Sequence, residues 1–278
     1  MSVHRGDAAQ PDDVVLVDVS DRIAIITINR PDQRNALNAA VRTQLPRAIR
    51  ACEANDDVDV MILTGADPAF CAGVDLKEFG SAPVGSAFGG RDDSGVRDDQ
   101  GRLPYRGALP PHEKLLIGAV NGVAVTGGFE VALNCDFLIA SDRARFADTH
   151  ARVGVMPGWG LTVLLVQRIG VARARQLSVT GNYVDAATAC AWGLVNEVVP
   201  HDQLLDRCRE IARDSLTIDQ RAVRRMLRTY AEVADTTTSE AWEIEDRASR
   251  AWAGGGYDPS DIEAKRAAIV ARGRDQIR

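Results

Sequence analysis

Histidine and cysteine are the scarce residues of this sequence. Its four histidines stand at 4, 112, 150 and 201 with no HxH or HxxxH pair, and its five cysteines, at 52, 71, 135, 190 and 208, form no CxxC. Neither a zinc site nor a disulfide framework is expected from that spacing, and the cysteines read as reduced thiols of a cytoplasmic protein. Aromatic residues make up 5% of the chain and the formal net charge is −6. Both weigh against a nucleic-acid partner, which calls for a basic surface and exposed rings on which bases stack. No run of ~18 apolar residues occurs, so no transmembrane helix or other membrane association is expected. Residues 1–13 are polar and read as a flexible tail without the apolar stretch of a signal peptide.

Glycine, by contrast, is concentrated. Fifteen of the 24 glycines lie between Gly73 and Gly160. Glycine is used where a backbone must approach something closely or take a positive φ, so the chemistry is expected in that third of the chain. At 278 residues the chain can bury a sizeable core, and about two domains follow from ~150 residues each.

Residues 14–19 and 22–29 are β-rich runs joined at Ser20-Asp21, the spacing of a hairpin. Residues 36–53 carry Leu37, Val41, Leu45, Ile49 and Cys52 at steps of three and four, which predicts an amphipathic helix despite Pro46. A buried-type strand at 58–64 completes a βαβ unit and implies a parallel pair. Residues 80–111 lose any apolar period, and two readings are open, a mobile flap over a pocket or a solvated insertion. Short buried strands are expected at 115–120, 136–140 and 194–199, and helices at about 160–168, 171–179 and 185–191. From 201 onward the pattern is helical, broken by Gly254-Gly255-Gly256, beyond which a last helix over about 258–272 is expected to pivot away. The layout is a βαβ-repeating α/β core over 14–200 followed by a helical region over 201–278.

Three segments could carry chemistry: Ala69 to Lys77, Asn121 to Asp136, and Phe146 to Gly160. Gly127-Gly128 stands at the expected start of a helix, where backbone N–H groups lack intrahelical acceptors and carry the positive end of the dipole. A second N–H from the Gly73-Val74 loop would complete an oxyanion hole. Glu130 falls on the first turn of that helix in an apolar stretch. It reads either as a general acid/base or as an acidic residue complementing the helix dipole.

These segments resemble the enoyl-CoA hydratase/isomerase (crotonase) superfamily. The resemblance runs from about Val14 to Ile269. It takes in Asn29-Arg30-Pro31, Asn35-Ala36-Leu37-Asn38, Leu63-Thr64-Gly65, the three segments, Gly170, Thr180-Gly181 and Gly193-Leu194-Val195. It implies a crotonase-like spiral of βαβ turns with a C-terminal helical trimerisation region, and a homotrimer or dimer of trimers. It implies an acyl-CoA thioester as substrate, with no separate cofactor and no metal, its carbonyl oxygen held by the N–H groups of Val74 and Gly127. Arg34 and Ala36 fall where the family handles the CoA phosphate and adenine, Ala72 lies along the pantetheine path, and Asp75 joins the substrate-binding residues. Lys265 matches a basic residue that the family lends to CoA phosphates, often from a neighbouring subunit. Arg34 and Lys265 also read simply as solvated surface charges.

Family hydratases carry two glutamates. The first maps onto Glu130, but the second position holds His150. That histidine replaces the carboxylate in proton handling, lines the pocket while Glu130 acts alone, or marks a protein that binds acyl-CoA without turnover. Asp148 either orients His150 or faces solvent. Gly158 fits a close approach to the reacting carbons, and Trp159 narrows the acyl pocket or forms part of its wall. The expected activity is reversible syn addition of water to a 2-enoyl-CoA in fatty-acid or related acyl-CoA metabolism. The alternatives are another reaction of the family (isomerase, decarboxylase, dehalogenase or hydrolase) and a non-catalytic acyl-CoA-binding protein.

Overall fold

The computed structural model describes residues 13–75, 78, 107–234, 236–255 and 259–277. The predicted tail and most of the 80–111 segment lie outside them. Two compact units are present, Met1–Thr217 and Ile218–Arg278.

The first unit opens with an antiparallel hairpin, β1 (Val15–Ser20) and β2 (Ile23–Ile28). Its turn residues Asp21 and Arg22 both take positive φ, 51° and 65°, the twist that a tight two-residue hairpin turn demands. Helix α1 (Ala39–Ala54) follows and buries Val41, Leu45, Ile49 and Cys52. It starts three residues later than the periodicity alone predicts. Asn38 caps it by accepting from the Val41 N–H, and Leu37 is drawn off into a parallel bridge with Val74. The C-terminal end of α1 receives the buried Lys114 ammonium, which donates to the Cys52 and Asn55 carbonyls at 2.8 Å each, a cation where the helix dipole is negative.

Beyond α1 the chain alternates between two sheets. Strands β3 (Val60–Gly65), β5 (Leu115–Val120), β7 (Phe137–Ser141) and β10 (Glu197–Val199) extend the hairpin into a six-stranded sheet of order β1-β2-β3-β5-β7-β10, parallel from β2 onward. Strands β4 (Ala69–Cys71), β6 (Val123–Val125), β8 (Arg145–Ala147) and β9 (Val184–Asp185) form a four-stranded sheet in that order. Each turn of chain lays one strand in each sheet, which makes the unit a spiral. The β3 and β5 runs are buried along their whole length, as strands covered on both faces must be.

Helices α2 (Gly127–Leu133), α3 (His150–Val153), α4 (Leu161–Ile169), α5 (Val171–Thr180) and α6 (Ala186–Trp192) fill the connections. Helix α7 (Leu204–Leu216) buries Leu204, Cys208 and Ala212 and packs on β3, β5 and β7, so it belongs to the spiral.

The second unit contains α8 (Gln220–Ala234), α9 (Thr238–Ala253) and α10 (Pro259–Ile277). Thr237 and Glu240 form a reciprocal capping box at the start of α9, and Arg221 lies 5.9 Å from the Trp252 ring centroid. The glycine break falls between α9 and α10. Among the described residues no helix is long and apolar enough to cross a membrane.

Candidate functional site

Three backbone segments converge on Glu130. The first is the start of α2, entered through Thr126 at φ 53°, ψ −113°. A β-branched residue at positive φ is strained unless its surroundings impose it. Here the Thr126 N–H bonds the Ala147 carbonyl at 2.9 Å, and its hydroxyl lies 2.5 Å from that of Thr149. The turn brings Glu130, one helical turn later, into the interior with 2% of its surface exposed.

The second segment is the loop leading into α4. Glu130 Oε1 accepts from the N–H groups of Trp159 at 2.7 Å and Gly158 at 3.1 Å, with Leu161 N at 3.4 Å. Asn134, four residues on along α2, donates to the Glu130 carbonyl at 2.7 Å and the Trp159 carbonyl at 3.1 Å. One oxygen of the carboxylate is thus fixed by the backbone, and the other is left for a different partner.

That partner is on the third segment. His150, 3% exposed, opens α3 and places Nε2 3.5 Å from Glu130 Oε2. Its Nδ1 lies 2.6 Å from Asp148 Oδ1, and the same oxygen accepts the His150 N–H at 3.1 Å. Asp148 is itself buried and also accepts from the Ser178 hydroxyl of α5. Burial alone would lower the His150 pKa, but the hydrogen bonds and charges of Asp148 and Glu130 outweigh it and raise it to about 9. Burial works against ionisation of Asp148 as well, and the bonds from His150 and Ser178 hold its pKa below the usual value. The ring is therefore an imidazolium at neutral pH, between two carboxylates.

Beside this group two stretches of backbone come into contact. Leu37 donates to the Gly73 carbonyl at 2.8 Å and accepts from the Asp75 N–H at 3.3 Å. The intervening Val74 N–H is turned to the opposite side. A Cβ built on Gly73 (φ +95°) would meet the Val125 carbonyl at 2.8 Å and the Gly127 nitrogen at 3.6 Å, and one on Gly127 would meet the Val74 side chain at 3.3 Å. Among the described residues neither the Val74 nor the Gly127 N–H has a hydrogen-bond acceptor. The Trp159 indole borders the same spot, 3.2 Å from the Cβ position of Gly127.

The structure brings together Glu130, His150, Gly158 and Trp159, and sets Val74 against Gly127. Asp75 and Ala36 join through Arg30, which pairs with Asp75 at 3.1 Å and donates to the Ala36 carbonyl at 2.6 Å. Ala72 donates its N–H to the Arg34 carbonyl at 2.9 Å, and Arg34 is exposed in a left-handed conformation. Lys265 is exposed on α10, in the second unit. Asn134 and Ser178 did not stand out in the sequence. The i, i+4 spacing of Glu130 and Asn134 was the readable signal for the first, and nothing local pointed to the second. A separate Ser141–His201–Asp67 chain, with 3.0 Å steps, resembles a nucleophile triad only in composition. Its serine is fully buried and already donates to Asp142, so it braces the fold. Among the described residues no group of three or more His, Cys, Asp or Glu side chains is arranged to hold a metal ion.

The chain has counterparts among known proteins. Residues 18–251 match the family model described as enoyl-CoA hydratase/isomerase, and the chain belongs to that family. A probable enoyl-CoA hydratase of Arabidopsis thaliana, described as peroxisomal, is 40% identical over 207 residues, 74% of each chain. The crystal structure of an enoyl-CoA hydratase from Mycobacterium tuberculosis is 45% identical and superposes with a TM-score of 0.71, covering 86% of this chain and 98% of that one. One from Geobacillus kaustophilus reaches 0.78 at 28% identity, covering 94% and 96%.

Proposed function

We propose that this protein is an enoyl-CoA hydratase, adding water reversibly and syn to a 2-enoyl-CoA to give a 3-hydroxyacyl-CoA. The buried Glu130 carboxylate carries the reading, because one oxygen is fixed by the 158–161 backbone and the other faces His150. The thioester oxygen sits between the Val74 and Gly127 N–H groups, which take up the negative charge that develops on it. Glu130 removes a proton from water as the water oxygen bonds Cβ. His150 gives its Nε2 proton to Cα. The proton on Glu130 then passes to His150 across the 3.5 Å between them, and the net change is the addition of one water. Glu130 Oε2 and His150 Nε2 face one another across 3.5 Å, and their adjacency supports delivery of both parts of the water to one face of the double bond. Gly158 gives close approach to the reacting carbons and Trp159 forms the wall of the acyl pocket.

The same proposal assigns Arg34, Ala36, Ala72, Asp75 and Lys265 to the CoA portion of the substrate, with no other cofactor and no metal. The assembly we assign, a homotrimer or dimer of trimers, rests on the family resemblance, and exposed apolar residues such as Val179 and Tyr230 are compatible with self-association. Five unpaired cysteines support a reducing, cytoplasmic setting.

The test is the loss of enoyl-thioester ultraviolet absorbance when the full chain meets crotonyl-CoA and longer 2-enoyl-CoAs, with the product identified by mass. Appearance of 3-hydroxyacyl-CoA is expected. Tight binding with no turnover at any chain length would leave an acyl-CoA-binding protein, and a product with only a shifted double bond would make it an isomerase.

A further inference from the structure

The second proton-handling group of this site is not a carboxylate, and the residues around it are organised in a way that the hydratase reading does not require. Asp148 Oδ1 accepts both the backbone N–H of His150, at 3.1 Å, and its Nδ1–H, at 2.6 Å. The two bonds fix the start of α3 and the plane of the ring together. Ser178, donated by α5, holds the same carboxylate from another element. With Nδ1 committed to Asp148, only Nε2 is left to face Glu130. The side chains of Asp148, His150 and Glu130 are at most 4% exposed, and at such depth an unpaired polar group is costly.

We propose that Asp148 is a positioning residue. It fixes the orientation and the Nδ1 proton of His150, so that Asp148, His150 and Glu130 form one proton-handling unit in place of a pair of carboxylates. The inference rests on the hydratase reading for its consequences in turnover, but not for the state of the ring. The charged groups acting on His150 are Asp148 on its own segment and Glu130 from α2, while α5 contributes the uncharged Ser178. A carboxylate on Nδ1 has two effects. It selects the tautomer that presents Nε2–H to the reacting atoms, and it stabilises the imidazolium against loss of that proton. The three groups together carry one negative charge when the ring is protonated and two when it is not. Their titration belongs to the set rather than to any one member.

Asp148→Asn separates charge from geometry, because an amide oxygen at the Oδ1 position still accepts both His150 N–H groups. We expect the fold to survive. The alkaline limb of kcat/KM should move toward neutral pH by a unit or more, kcat should fall ~10- to 100-fold at pH 8, and KM should change little. Ser178→Ala, which removes one donor from Asp148, should move the limb in the opposite direction by a smaller amount, since a less tightly held carboxylate is the stronger base. The readout independent of turnover is the His150 imidazole resonance in the free protein, assigned by its loss in His150→Gln. It should titrate near pH 9 in the native chain and well below that in Asp148→Asn. An unshifted limb together with an unshifted His150 titration would overturn the inference, whether or not the variant loses rate. If the native chain shows no hydration, the activity reading fails, and the titration still decides the role of Asp148.

Discussion

A single methyl group placed on Gly127 tests the proposed thioester site. Gly127 has an ordinary backbone φ, so alanine is not strained there, and in the first turn of a helix it gains up to ~1 kcal/mol over glycine. Against this, the new Cβ would lie 3.2 Å from the Trp159 ring, 3.3 Å from Val74 Cγ2 and 3.4 Å from Leu37 Cδ1. All three are side-chain atoms that can yield by a few tenths of an ångström, and crowding of this kind costs ~1–3 kcal/mol. The gain offsets part of the cost, so Gly127→Ala should fold and lose ~0–3 kcal/mol, or ~0–12 °C in Tm at ~2–4 °C per kcal/mol. Activity should suffer far more. The side chains that must move are the wall around the Val74 and Gly127 N–H groups, and loss of one such donor costs ~10²–10³-fold. Displacing it should lower kcat in hydration of crotonyl-CoA at least ~10-fold, while the melting curve stays cooperative. A native-like kcat in a folded Gly127→Ala would refute the placement of the thioester oxygen at this pair.

The neighbouring glycine should behave in the opposite way. A Cβ on Gly128 would lie 2.2 Å from the Cys71 carbonyl oxygen, an atom that cannot swing aside, so Gly128→Ala should lose soluble folded protein rather than turnover alone. Asn35 is fully buried at φ 59° and bonds the Arg30 N–H and the Ala66 and Ala69 carbonyls. Asn35→Ala should cost about 3 kcal/mol or more in denaturant melts, and a loss under 1 kcal/mol would contradict the bracing role. The raised His150 pKa contributes stability that is fully present below about pH 6.5 and is lost as pH rises through about 9. The Tm advantage of the native chain over His150→Gln should therefore shrink across that window, and a constant difference would argue against a protonated ring. His150→Ala should cut turnover ~10²-fold or more if the ring transfers a proton, and a native-like rate would leave it a pocket wall.

Much of the six-stranded sheet could be read from the sequence because its strands are runs of three to six mostly apolar residues flanked by turn residues. Helix α1 was equally clear from Val41, Leu45, Ile49 and Cys52. The four-stranded sheet was not. Its strands are two or three residues long, too short for a period to show, and they exist because the spiral brings distant segments side by side. The site divides in the same way. The paired glycines before Glu130 marked a helix start, and the order of motifs located Val74, Gly127 and His150. The 2.6 Å Asp148–His150 bond was only one of two open readings in the sequence, since residues two apart on a loop face each other only if the backbone turns them so. The Arg30–Asp75 pair spans 45 positions and has no local signal at all. The end of the spiral at Thr217, beyond α7, likewise depends on packing against β3, β5 and β7 rather than on any break in helical pattern near 200.

The hydration rate of crotonyl-CoA by Glu130→Gln tests whether Glu130 is the base that activates water. The amide keeps the size of the carboxylate, and its oxygen can still accept from the Gly158 and Trp159 N–H groups, but it cannot take a proton from water. The variant should fold, bind acyl-CoA and turn over at least ~10²–10⁴-fold more slowly than the native chain. Hydration within a few-fold of the native rate would contradict that role and move the base elsewhere.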